Sequence, residues 1–391
     1  MPQQPIHPFP ARMAPELALA KCRDLPSGSV VLDPMVGSGT VIRAAADAGL
    51  DAVGYDLDPL AVLMTQVWTT SIDLGHLMEA ASSAVAEAEA ASCDVNLPWI
   101  DDDPETARFI EYWFGDEQRR DLRRLSSVLI SRSGPVWDAL RIALSRLIVT
   151  KDRGASLARD VSHSRPHRVR TQNSFEVFPA YIRSAKHLGM RLSGLPASAS
   201  VTVRRGDARD MVDLNAASVD AVITSPPYLN ALDYLRGHRL SLVWLGYRIE
   251  ELRAIRGKSI GTERMLQSSI NREVIELLLP VVGKVKDLPS RTRGMIDRFL
   301  VDLHSVLREI RRVLKPGGRA TFIIGNSCIR NVFIDNAAAI VAAAELVGFV
   351  PISRTEREIP HARRYLPPPV ANDSHGVNHR MRTEVVLTLA V

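Results

Sequence analysis

Cysteine is scarce in this sequence: Cys22, Cys93 and Cys328 are all that 391 residues contain. Three thiols, odd in number and far apart, supply neither a disulfide framework nor a zinc spacing. They suit a cytoplasmic protein with reduced thiols. Long apolar runs are also missing, and none approaches the ~20 residues a membrane span needs. The opening Met1-Pro2-Gln3-Gln4-Pro5 lacks the basic and apolar regions of a secretion signal. Neither sign of charge is in large excess. A net charge of +5 and a pI near 9.2 permit a nucleic-acid partner without demanding one. Most of the positive charge is Arg, which can equally reflect genome base composition. What remains is ordinary globular material, 46% hydrophobic and 24% charged. The length suffices for one large domain or two ordinary ones, and no internal repeat is visible.

Two stretches organise the chain. Residues 29–32 form a short apolar run leading into Asp33-Pro34-Met35-Val36-Gly37-Ser38-Gly39-Thr40, followed by an Ala-rich helix to about residue 48. Strand, glycine loop and helix make the front half of a nucleotide-binding α/β unit. The next strand, 52–55, ends at Asp56, about 20 residues on, where an acid can meet a ribose hydroxyl pair. The second stretch is Thr224-Ser225-Pro226-Pro227-Tyr228, at the end of a strand over 219–223. Two prolines make a stiff corner whose carbonyls stay unpaired.

Between these stretches, residues 72–91, 108–114, 117–130 and 136–149 read as helices, with Asp101-Asp102-Asp103-Pro104-Glu105 as a helix start. Residues 151–170 have no apolar period and carry six Lys or Arg against two Asp, a basic loop. The α/β pattern resumes with a strand over 200–204 and Gly206-Asp207-Ala208. Further on come helical stretches at 240–247 and 272–279 and an amphipathic helix at 292–314, stopped by Lys315-Pro316-Gly317-Gly318. A strand at 319–324, a helix at 335–346 and two closing strands at 349–354 and 383–389 complete the chain.

Each motif has a plain alternative. Gly37 and Gly39 also suit an ordinary strand-to-helix turn, Asp56 a solvated turn acid, and the Pro-Pro corner a rigid turn before a core aromatic. No Walker-type lysine follows the loop, and Ile42 occupies the place of the third small residue in the dinucleotide fingerprint. A nucleoside-like ligand without phosphates is therefore favoured. Asp33, Asp56, Asp207 and Ser225 all fall at strand ends, so one crevice can hold them.

The segments Asp33–Thr40 and Thr224–Tyr228 resemble the cofactor loop (D-P-F-x-G-S-G-T, with Met35 for Phe) and catalytic motif (S/D/N-P-P-Y/F) of the S-adenosylmethionine-dependent DNA amino-methyltransferases. His7-Pro8-Phe9-Pro10 resembles the family segment that lines the methionine end of the cofactor. Leu314–Gly318 resembles the turn before the fifth strand. The motif order is alpha-like, although the large insert lies earlier than in that type. The resemblance implies a Rossmann-like class I α/β fold with a seven-stranded, mainly parallel sheet and a closing antiparallel hairpin. The catalytic domain is then split over 1–70 and 200–391. A helical insertion fills 71–199 and a second segment 229–290; either can serve target recognition.

It also implies S-adenosyl-L-methionine as cofactor, held by Phe9, Pro10, Asp33, Pro34, Met35, Gly37, Ser38, Gly39, Thr40, Asp56, Leu57, Asp207 and Ala208. Ser225, Pro226, Pro227 and Tyr228 are the catalytic residues, acting on a flipped base with DNA as partner. Ser in first place favours cytosine N4. Adenine N6, an RNA base, or a catalytically silent DNA-binding subunit are the alternatives. Arg159, Arg165, Arg168, Arg170, Arg236 and Arg239 are candidate DNA contacts, or plain solvated residues. Asn230, Asp233 and His238 edge the base pocket or cap helices. The target sequence, the oligomeric state and any restriction-endonuclease or defence-system partner stay open.

Overall fold

The structure is a computed structural model that describes residues 4–9, 12–92, 95–151, 153–159, 166–192, 199–227, 229, 233–261, 271–330, 332–359 and 383–391. Seven strands form its main sheet: β1 (Val30–Asp33), β2 (Asp51–Asp56), β3 (Val201–Arg205), β4 (Val219–Thr224), β5 (Leu314–Ile324), β6 (Val350–Glu358) and β7 (Thr383–Ala390). Their order across the sheet is β6-β7-β5-β4-β1-β2-β3. The pairs β1/β2, β1/β4, β2/β3 and β4/β5 are parallel, and β7 is antiparallel to both β5 and β6. The expected α/β sheet with its closing antiparallel pair is therefore present.

Alternation along the strands explains the layers. Val31, Ile223, Ile323 and Val386 enter one core with α1 (Pro15–Arg23) and α2 (Thr40–Asp47). Their neighbours Leu32, Val222, Phe322 and Leu387 enter the opposite one. Covering helices on both faces let parallel strands be apolar throughout. Asp220, the one charge inside β4, is tied down: it accepts from Val30 N–H at 2.8 Å and pairs with Lys315 at 2.8 Å.

A third core belongs to helices. It contains α3 (Pro59–Trp68), α4 (Leu74–Ala90), the short α5 (Pro98–Asp101), α6 (Pro104–Trp113), α7 (Asp116–Ile130), α8 (Pro135–Ile148), α9 (Val177–Leu192), α10 (Tyr234–Leu242) and α11 (Ile249–Lys258). The remaining helices, α12 (Arg272–Val282), α13 (Ser290–Val313) and α14 (Asn336–Leu346), cover the sheet. Asp103 caps α6 by accepting from Glu105 N–H and Thr106 Oγ1, as the acidic start before Pro104 suggests.

Several elements differ from expectation, the unexpected helices α3 and α11 among them. The helix α9 was not expected: Pro179 interrupts its beginning, yet Val177, Tyr181, Ala185, Leu188 and Leu192 keep a helical period and are buried. The stretch expected as a helix over 240–247 is instead α10, which begins at Tyr234 and ends at Leu242. The polar Arg236-Gly237-His238-Arg239 hid its first turns. The strand expected to start at residue 319 starts at Leu314. The register jumps from Val219↔Leu314 to Ala221↔Arg319, so Lys315–Gly318 forms a bulge within the strand, with Gly317 at φ 77°. The polar stretch 361–382 lies outside the described residues, as does Cys93. No helix among the described residues is long and apolar enough to cross a membrane.

Candidate active site

β1 runs from buried apolar residues into a tight loop. Val36 N–H donates to Tyr55 O at 2.9 Å and Gly37 N–H to Asp56 Oδ2 at 2.9 Å, fastening the loop to the end of β2. Gly39 is the N-cap of α2 with φ 83°, and a Cβ there would lie 2.8 Å from Thr65 Oγ1. A side chain at Gly37 (φ 49°) would meet the Phe9 ring at 3.2 Å. Both glycines are thus required by close approach as well as by dihedral. Ser38 and Thr40 hydroxyls pair at 3.0 Å, and Met35, beyond Pro34, packs on the sheet core.

Acidic groups surround the loop. Asp33, only 2% exposed, accepts from Met35 N–H and from Thr224 Oγ1, the latter at 2.8 Å. Burial pushes its carboxyl up to about 7, against the lowering effect of the Thr224 and Met35 hydrogen bonds. Asp56 also accepts from Asp58 N–H at 2.9 Å. Burial, then the charge of Asp58, raise it to about 6, while the Asp58 and Gly37 amides and His238 pull the other way. Leu57, between the two acids, packs on the helical core.

The Pro-Pro corner is held on both sides. Thr224, wholly buried, fixes its entry through Asp33. Ser225 and Pro227 are partly exposed and Pro226 is buried. Beyond it, Leu229 N–H donates to Asn336 Oδ1 at 3.4 Å and Leu229 O accepts from Ser327 Oγ at 2.6 Å. Asn336 Nδ2 in turn donates to Gly325 O and Ser327 Oγ, each at 2.9 Å. Tyr228, Asn230 and Pro10 lie outside the described residues. Sequence reasoning missed Ser327 and Asn336. Their signal is slight: polar residues just after β5 and at the start of α14.

After β3, Gly206 N–H donates to Asp56 O at 3.0 Å, and Ala208 is buried. Asp207 already serves Arg209: Nε reaches one carboxylate oxygen at 2.9 Å and a terminal nitrogen the other at 2.6 Å. Arg209 also bonds Asp302 on α13 and the carbonyl of Lys258, tying the end of β3 to α13 and α11.

Phe9 stacks on Tyr234 with centroids 4.6 Å apart. Asp233 precedes α10 and pairs with Arg256 at 2.5 Å. The predicted basic residues are scattered over the helical body. Arg159 and Arg168 are exposed on a two-residue strand pair, and Arg168 lies over Tyr112 at 4.7 Å. Arg239 lies over Phe109 at 5.1 Å, while Arg170 and Arg236 are partly exposed. Arg165 is outside the described residues. The helical insertion and the segment after the corner meet directly. Trp99 Nε1 donates to Val243 O at 2.8 Å and Ile249 N–H to Thr106 Oγ1 at 2.9 Å.

No protein-family model matches the chain. It is 22% identical to the Type II methyltransferase M.MvaI of Kocuria varians over 98% of this chain and 90% of that protein. It is 25% identical to the Type II methyltransferase M.BsoBI of Geobacillus stearothermophilus over 36% of this chain and 33% of that one. Among solved structures, a candidate DNA modification methylase of Thermus thermophilus, complexed with S-adenosyl-L-methionine, aligns at 18% identity. That alignment spans 47% of this chain and 53% of the other, with a TM-score of 0.26, too distant to bear on the argument. The resemblance to S-adenosylmethionine-dependent DNA methyltransferases, drawn from a few short segments, is borne out by a relative that aligns with almost the whole chain.

Proposed function

We propose that this chain transfers a methyl group from S-adenosyl-L-methionine to the exocyclic amine of a base in DNA, with cytosine N4 as the favoured acceptor. The observation that carries the reading is the 2.8 Å hydrogen bond from Thr224 to Asp33. It joins the ends of β4 and β1, the point where the strand order reverses and where open α/β sheets bind ligands. The catalytic corner and the cofactor loop therefore share one crevice.

The donor set suits this cofactor. The loop is edged by the acids Asp33 and Asp56 and has no lysine, so it offers a phosphate no side-chain cation. A ribose with free hydroxyls and a sulfonium with an amino group complement those acids. Asp56 would take the ribose and Gly37 to Thr40 the close backbone contacts, beneath Phe9. Pro34 and Leu57 would add apolar walls, and Ala208, with the Asp207 carboxylate held in place by Arg209, would meet the adenine. When bound, the cofactor supplies a methyl group already activated on sulfur.

The chain's own work is on the acceptor. A base amine is a weak nucleophile because its lone pair is delocalised into the ring. The Ser225 hydroxyl and the Pro226 carbonyl accept its two N–H groups, drawing the nitrogen toward a tetrahedral form and freeing the lone pair; one of the two protons leaves to solvent once the new N–C bond has formed. The prolines fix these acceptors in advance, so no reorganisation is needed at the moment of reaction. Tyr228 stacks on the base, which is flipped out of the duplex to reach the corner. Arg159, Arg165, Arg168, Arg170, Arg236 and Arg239 neutralise DNA phosphates. Because the insertion and the segment after the corner pack together, both contribute to one DNA face. A partner endonuclease belongs to this reading only through a modification system.

The direct assay uses methyl-labelled cofactor with duplex DNA, single-stranded DNA or transfer RNA. Label in DNA, abolished by Tyr228→Ala with cofactor affinity retained, supports the proposal. Label confined to RNA contradicts it.

A further inference from the structure

Three separate pieces of chain meet at one buried histidine, and a fourth is tied to them through Asp56. His238, on α10, is 8% exposed and pairs through Nδ1 with Asp58 Oδ2 at 2.5 Å. Asp58 is 7% exposed and is also the N-cap of α3, accepting from Leu60 N–H at 2.9 Å. Its own N–H donates to Asp56, whose other carboxylate oxygen holds Gly37 N–H. The rings of Phe9 and Tyr234 lie 5.7 and 6.4 Å from that of His238. His7 approaches it edge-on at 6.4 Å while bonding Ser145 Oγ at 2.9 Å. The cofactor loop, the acid at the end of β2, the N-terminal segment and the first helix after the catalytic corner are thus joined by continuous contacts.

From this junction we infer that His238 and Asp58 are positioning residues that couple the cofactor pocket to the base-facing segment, so that each ligand strengthens binding of the other. The inference rests on the reaction proposed above. A buried imidazole–carboxylate hydrogen bond has no water to replace it, so any shift of the β2–α3 turn is passed to α10. Phe9, held between Gly37 and Tyr234, is carried with them. Neither residue contacts the reacting atoms in this scheme; they act by holding α10 against the cofactor loop. Reciprocity follows from linkage: what DNA does to cofactor affinity, the cofactor does to DNA affinity.

The test is isothermal titration of the full chain with S-adenosylhomocysteine, with and without saturating plasmid DNA from a methylation-deficient host. Wild type should bind the nucleoside about fivefold or more tightly with DNA present. Asp58→Ser keeps a good cap for α3 but is too short to reach His238. His238→Leu removes the donor, and His238→Asn restores one at the Nδ1 position. The first two should bring the ratio to about 1 and the third should recover part of it. A wild-type ratio of 1 overturns the inference, as does an unchanged ratio in Asp58→Ser with an intact melting transition. If wild type does not bind S-adenosylhomocysteine at all, the proposed methyl transfer fails first, and that outcome is read separately in the arm without DNA.

Discussion

Asp33 carries opposed demands. It sits in the cofactor motif, yet burial holds its carboxyl near 7, well above the ordinary Asp value. A carboxyl raised on folding binds more protons in the native state than in the unfolded one. Its contribution to stability is full below about pH 4 and is lost as pH rises toward 7. Asp33→Asn should therefore flatten the fall of the melting temperature between those limits while weakening cofactor binding. Calorimetry in steps of pH checks the sign. Asp56, raised to about 6, adds a smaller slope of the same sign. Gly39 is a second residue-scale test. With φ 83° and Thr65 at 2.8 Å from any Cβ, Gly39→Ala should cost more than about 1 kcal/mol in urea denaturation.

At the scale of elements, the Pro-Pro corner is held at its two ends. Thr224 is held by Asp33, and Leu229 by Ser327 and Asn336. Removing Asn336 leaves buried donors and acceptors unpaired and loosens the corner from the α14 side. Asn336→Ala should lower kcat about tenfold or more with little change in affinity for S-adenosylhomocysteine. A loss confined to cofactor affinity contradicts that placement.

Strand ends with signature residues, Asp33, Asp56 and Thr224, were legible in the sequence because motif and hydrophobic run coincide. The anchors of the corner were not: Asn336 and Ser327 lie 107 and 98 positions from Leu229, and no local pattern announces such pairs. The α10 helix was masked by its polar first turns, and α9 by Pro179 in spite of a sound period. Asp207 read as a free acceptor because sequence alone does not reveal that Arg209, two residues on, folds back onto it.

For the whole molecule, the sheet and the helical body are distinct cores. The insertion and the first helices after the corner share the helical core, whereas α12 packs with α13 and α14 on the sheet. Under the proposed reading, recognition by two alternative segments becomes recognition by one composite face. Charge reversal across that face, as in Arg168→Glu with Arg159→Glu, should weaken DNA binding and reduce the slope of log affinity against log salt by about 2. Cofactor affinity should stay unchanged, and an unaltered slope would remove these residues from the DNA face. The reaction proposed at the ends of β1 and β4 is methylation of a base amine. The most direct measurement is mass spectrometry of nucleosides from the DNA of a methylation-deficient bacterial host expressing the chain. N4-methylcytosine is expected in that DNA, and none when Ser225 and Pro226 are both replaced by Ala. DNA without any methylated amine, from cells containing the folded protein, would contradict it.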